Sequence, residues 1–123
     1  MKEAYVSFEV AKLLKEKGFN EPCRSYFIDN VDYIDYFYST EKLTDLNMGV
    51  WETLRPTHQM VCAWLREVHN IFIEIIIFRE NMTHYRFKIL NRDCEKIYID
   101  DGSQFSYEDA VEAAIKYALE NLI

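Results

Sequence analysis

PTHQMVCAWLREVHNIFIEIIIF, residues 56–78, decides how this chain is read, because a one-sided helical pattern passes with almost no linker into a run that is apolar but for Glu74. In its first half Met60, Val61, Trp64, Leu65 and Val68 recur at helical spacing and share one stripe, while Gln59, Arg66 and Glu67 fall away from it. Pro56 holds Arg55 extended, Thr57 or a neighbour caps the helix, and Asn70 is a residue type that tolerates the left-handed conformation ending it. In the second half Ile71, Ile73, Ile75 and Ile77 share one face of a strand, and Phe72, Ile76 and Phe78 share the other.

Working downstream, residues 79–83 read as a short polar turn. Residues 84–90 alternate, with Tyr85, Phe87 and Ile89 on one face and His84, Arg86 and Lys88 on the other. A second turn at 91–95 leads to a strand over 96–100, where Ile97 and Ile99 point one way and Tyr98 the other. Connections this short force antiparallel neighbours, which predicts a three-stranded meander. Asp100, Asp101, Gly102 and Ser103 end the sheet, and Ser106 to Asp109 form a near capping box with Asp in the place of Glu or Gln. Ala110, Val111, Ala114, Ile115, Ala118, Leu119 and Leu122 then make one continuous stripe on a terminal helix.

Upstream, Ser7 is a suitable N-cap for a first helix whose apolar side is Phe8, Val10, Ala11, Leu13 and Leu14, and Gly18 suits its left-handed stop. Residues 23–55 are rich in β-formers, but Asp29, Asp32 and Asp35 break any long alternation and no tight hairpin signal is present. Irregular structure with one or two short strands is the expectation there. Tyr26, Tyr33, Tyr36, Phe37, Tyr38 and Trp51 crowd this segment, and rings with polar tips suit a loop lying over a core better than a recognition groove.

The whole pattern predicts an α+β fold: an antiparallel sheet of three or four strands packed with three helices, residues 1–123 forming a single domain. The central and terminal helices are expected on the apolar face of the sheet, with the first helix at an edge or on the other face. Nine Tyr, eight Phe and two Trp against three Gly and two Pro argue for a packed core. Glu3 and Glu9 interrupt the apolar residues near the start, and no segment reaches the roughly 18 apolar residues a membrane span needs, so a cytoplasmic location is expected. Cys23, Cys62 and Cys94 are odd in number and widely spaced, which fits reduced thiols. A net charge of −7 opposes binding to nucleic acid or to an anionic membrane.

No complete catalytic motif is present. His58, Cys62 and His69 are spaced four and seven apart on one helix, yet no closely paired ligands accompany them, so they read as a semi-buried Cys and two His at the surface edge rather than a metal site. The sequence has no G-x-S-x-G elbow and no glycine-rich phosphate loop, Asp100 with Asp101 reads as a turn, and the aspartates at 29, 32 and 35 lack the glycine and terminal Glu of an EF-hand. Neither a cofactor nor an enzymatic activity is expected.

Three blocks, SFEVAKLLKEKGF, RPTHQMVCAWLREVHNI and SYEDAVEAAIKYALENLI, resemble a group of small uncharacterised proteins carried by prophages and mobile elements of gut bacteria. The order of a Pro-Thr helix with a buried Trp, an antiparallel hairpin and an Ala-rich terminal helix is also similar to phage-encoded helix–sheet–helix sandwich domains. The resemblance implies a phage or mobile-element origin and supplies no established activity or catalytic residues to carry over. With it, the expected function is that of a non-enzymatic interaction protein working through protein–protein contacts, with a host protein as a candidate partner. Homo-oligomerisation is expected through Phe72, Ile76 and Phe78, a second apolar face that one short helix covers incompletely. The alternative is a binder of a small ligand such as a nucleotide, with Tyr33, Tyr36, Tyr38 and Trp51 stacking on the base and Arg24, Arg55 or Arg86 meeting the phosphates. An enzyme of unknown type comes third.

Overall fold

The computed structural model describes residues 3–27, 33–35, 53–77, 84–100 and 102–123, with backbone alone for 33–35. The fold is α+β, and the chain divides into two compact units, Met1–Met60 and Val61–Ile123.

In the first unit, α1 spans Phe8–Glu16 and starts where Ser7 Oγ accepts a hydrogen bond from the Val10 N–H at 3.2 Å. It ends at Gly18, whose φ of +86° places it in the left-handed region, and the Phe19 N–H closes back on the Leu14 carbonyl. Val10, Ala11, Leu14 and Phe19 are buried. Three short strands follow: β1 (Ser25–Phe27), β2 (Tyr33–Asp35) and β3 (Thr53–Leu54). They form an antiparallel sheet in the order β2-β1-β3, with Tyr26 opposite both Ile34 and Leu54. The segment expected to be irregular therefore builds a sheet of its own. Strands of two or three residues carry too little alternation to be recognised, and the β1 to β3 pairing joins residues about half the first unit apart in sequence. Helix α1 packs on β3, and its Phe8 ring meets Phe27 of β1 edge-on at 5.3 Å.

Helix α2, His58–His69, begins at the end of the first unit, where Thr57 Oγ1 accepts from the Met60 N–H at 3.1 Å. Its buried stripe is Val61, Trp64 and Leu65. Val68 lies on the same azimuth as Val61 but is 56% exposed. The helix stops at Asn70, with φ of +56°, and the Ile71 N–H returns to the Leu65 carbonyl at 3.0 Å.

The second unit contains the predicted meander. Strands β4 (Phe72–Ile77), β5 (Tyr85–Leu90) and β6 (Lys96–Ile99) are antiparallel neighbours in that order. The turn predicted over 79–83 lies outside the described residues. Asn91 organises the second turn: its Oδ1 accepts from the N–H groups of Asp93 and Glu95 while Cys94 takes a φ of +62°. Helix α3, Tyr107–Asn121, is capped by Ser106 Oγ, which accepts from the Asp109 N–H at 3.0 Å. Its stripe Ala110, Val111, Ala114, Ile115, Ala118 and Leu119 is buried, and the helix packs on β5 and β4. Small residues on the helix allow that close approach. The sheet face beneath it carries Ile73, Ile75, Phe87, Ile89 and Tyr98, and the deepest of these, Phe87 and Ile89, belong to the central strand.

Candidate functional site

Two surfaces of the second unit combine features that support recognition. The first is a groove of about 530 Å³ where the ends of β5 and β6 meet the C-terminal half of α3. Phe87, Tyr98 and Tyr117 line it, and the rings of Tyr98 and Tyr117 stack with centroids 3.9 Å apart and planes 17° from parallel. Phe87 lies 5.6 Å from Tyr98 and 6.3 Å from Tyr117, completing a three-ring cluster. Asp100, Lys116 and Gln104 supply polar edges. Asp100 acts first on the fold: its N–H donates to the Phe87 carbonyl, and its Oδ1 accepts from the N–H groups of Phe87 at 3.1 Å and Gly102 at 3.0 Å. Its Oδ2 is buried without a hydrogen-bond partner among the described residues. The groove wall contains no histidine and no cysteine.

The second surface is an exposed aromatic and apolar patch at the start of β5 and of α3. Gln104 pairs with Tyr85 through two backbone hydrogen bonds, which fixes the segment before α3 alongside β5. Phe105 is 74% exposed and Tyr107 54% exposed, and both sit against strand residues: the Phe105 ring lies 4.8 Å from His84, and Tyr107 meets Tyr85 edge-on at 6.4 Å. Ile77, opposite Tyr85 on β4, is 47% exposed and extends the same surface. A residue preceding an N-cap commonly folds onto the fourth helical residue, here the buried, small Ala110. Phe105 stays in solvent instead.

The residues singled out from the sequence are scattered. Tyr36, Tyr38, Trp51 and Phe78 lie outside the described residues, and only the backbone of Tyr33, in β2, is described. Arg55 is engaged inside the first unit: its guanidinium lies 3.9 Å over the Tyr5 ring and 5.9 Å from Phe27, and it donates to the Oγ of the buried Ser25 at 3.1 Å. Phe72 and Ile76 are half-buried on β4, and Glu74 between them pairs with Lys88 across the strands at 3.9 Å. Of the His and Cys residues, His58 is buried rather than at the surface edge. His69 packs its ring edge-on to Trp64 at 4.6 Å. Among the described residues no three His, Cys, Asp or Glu side chains converge on a point where a metal ion could sit. All three cysteines are free thiols. Burial, and secondarily Glu21, pushes the Cys23 thiol up to about 12. Burial raises Cys62 against the opposing effect of Arg66.

Neither surface was singled out in the sequence. The alternation around Tyr98 separates it from Ile97 and Ile99 without saying which of them faces the helix, and Tyr117 flanks the Ala-rich stripe with nothing in its spacing to mark it. Phe105 stands between a turn and a cap, where no periodicity operates. The chain matches no family model, no curated protein and no solved structure. Among the described residues no helix is long and apolar enough to cross a membrane.

Proposed function

We propose that this chain is a non-enzymatic interaction protein that works through protein–protein contacts. The observation that supports it is the patch of Phe105, Tyr107 and Ile77, backed by His84 and Tyr85. Aromatic side chains concentrate binding energy at interfaces because they bury large areas at small conformational cost, and a contiguous cluster of them left in solvent is unusual for a surface with no partner. A phage or mobile-element origin, and hence a host protein as partner, belongs to the same reading and rests on the three resembling sequence blocks.

The test compares the natural chain with Phe105→Asp, a change at an exposed site that leaves the core untouched. Affinity purification from cells of the natural source, followed by cross-linking and mass spectrometry, should recover a protein cross-linked near residues 84, 85 and 107, and Phe105→Asp should lose it. Recovery of the same partner by both forms would refute the role of the patch. The groove favours a second reading, a small-ligand binder, because it pairs a three-ring cluster with polar edges. Native mass spectrometry of the purified protein decides between the two: a bound small molecule would favour the groove.

A further inference from the structure

We propose that the outer edge of β4 is the seat for β4 of a second copy of this chain, joining two three-stranded sheets into one. This goes beyond the reading above, since it names a different partner and a seam that takes in Ile77 of the patch but neither Phe105 nor Tyr107.

The backbone orientation follows from hydrogen bonds on the other side of the sheet. Tyr85 exchanges both its N–H and its C=O with Gln104, and the Phe87 carbonyl accepts from the Asp100 N–H, so these β5 residues turn their main-chain groups toward β6. The alternation of an antiparallel ladder then turns Arg86, Lys88 and Leu90 toward β4, where they face Ile76, Glu74 and Phe72. Ile73, Ile75 and Ile77 are left pointing outward. Ile71 has the same parity, and its N–H is taken by the Leu65 carbonyl as α2 ends. Among the described residues nothing pairs with the outward groups of Ile73, Ile75 and Ile77, and β4 stands at the edge of its sheet.

Among the described residues that edge has few of the usual protections, Glu74 being the one charge on β4. Natural edge strands are kept short or carry lysine, proline or a bulge, because an open row of donors and acceptors recruits another strand. The opposite edge, β6, follows the rule: it has four residues, starts with exposed Lys96, and meets β5 through a register shift at Ile89 and Leu90. Strand β4 is six residues long, contains no lysine and no proline, and pairs with β5 without a shift.

Self-complementarity identifies the occupant. A two-fold axis at Ile75 places Ile75 opposite Ile75 and Ile73 opposite Ile77, so each outward residue meets another outward residue and every facing pair can exchange two hydrogen bonds. Glu74 then faces Ile76 of the other copy, so like charges do not meet, whereas an axis at Glu74 would set two carboxylates face to face. Both copies of α3 fall on one face of the joined sheet. The isoleucines of β4 fill the strip between them, which is where α3 leaves them incompletely covered: Ile73 and Ile75 are half-buried and Ile77 is 47% exposed, while Phe87 and Ile89 on the central strand are buried.

Sedimentation across a concentration series should show a reversible dimer. Ile75→Pro removes an N–H that points away from β5, leaving the ladder inside the chain intact, and should weaken dimerisation about tenfold or more with an unchanged circular dichroism spectrum. Ile75→Lys, which sets two ammonium groups opposite each other on the axis, should act in the same direction and stands in if the proline form fails to fold. In a Cys94→Ser background, Ile75→Cys should cross-link to itself on mild oxidation, because facing residues in such a pair have Cα atoms about 5.5 Å apart, while Ile73→Cys alone should not. A natural chain that sediments as a monomer throughout, a folded Ile75→Pro or Ile75→Lys form that dimerises as before, or equal self-cross-linking at residues 73 and 75 would each overturn the proposal. None of these results bears on partner capture by Phe105, so the two proposals fail separately.

Discussion

The two sheets among the described residues are both antiparallel, both three-stranded, and built by different means. The second, β4-β5-β6, is contiguous in sequence: its strands run four to six residues, their alternation matches the face beneath α3, and its core is aliphatic and aromatic. The first, β2-β1-β3, has strands of two or three residues, its β1 to β3 pairing joins residues far apart in sequence, and it is pinned by a side chain. Arg55, just after β3, donates its N–H to the carbonyl of Ser25 and its guanidinium to the Ser25 hydroxyl, and lies over Tyr5. A long strand is specified by its own pattern and the burial it produces. A short one needs an external tie, and here that tie is one arginine.

The comparison can be broken at the core first. Leu119 in the second unit and Leu14 in the first are both fully buried, and replacing either with Ala should cost about 2–5 kcal/mol, from lost burial and from the cavity left behind. Urea denaturation measures the cost, and hydrogen exchange shows where it falls. Leu14→Ala should accelerate exchange first in α1, β1 and β3, and Leu119→Ala first in α3 and β5. Equal acceleration everywhere from either change would mean that the two units have no separate stability.

The contrast also explains what could be read from the sequence. All three helix starts and the two left-handed stops at Gly18 and Asn70 were legible, because a cap is a local device whose residue types follow from the backbone groups it satisfies. The meander was legible because its strands alternate and its second turn is short. The first sheet was not, since the pairing of Tyr26 with Leu54 depends on a contact with no sequence periodicity. The candidate surfaces were less legible still. Arg55 reads in sequence as a free cation, and the fold spends it on Tyr5 and Ser25. Phe105 reads as an ordinary apolar residue near a turn, and the fold leaves it in water. Orientation of a single side chain is set by tertiary neighbours, and composition and spacing do not carry that information.

A smaller effect tests the arginine tie itself. Arg55→Lys keeps the charge but loses the planar fork that can lie on the Tyr5 ring and reach Ser25 Oγ together. The loss should be about 1–2 kcal/mol, combining a cation–π contact with a buried hydroxyl left short of a donor, and hydrogen exchange should rise in β1 and β3 while β5 is unchanged. Full rescue by lysine would show that only the charge matters.

The smallest effect at neutral pH is a thiol one, and it also separates the units. Cys23, buried in the first unit, donates weakly from Sγ to the Glu21 carbonyl, while Cys94 is exposed in the turn between β5 and β6. Burial raises the folded-state value of Cys23 from 9.0 to about 12, so between these values the folded chain holds a proton that the unfolded chain has released. Folding then binds more protons than unfolding, and stability must fall as pH rises: the contribution is complete below about pH 9 and is lost progressively toward pH 12. Cys23→Ala should remove that part of the alkaline decline while leaving the pH dependence below 9 unchanged, as followed by urea midpoints at each pH. Thiol labelling of the native chain should modify Cys94 at once, Cys62 more slowly, and Cys23 only as the first unit opens. Labelling of Cys23 at the rate of Cys94 would show that the first sheet opens freely despite Arg55, and the tie inferred from its geometry would then be too weak to hold three short strands together.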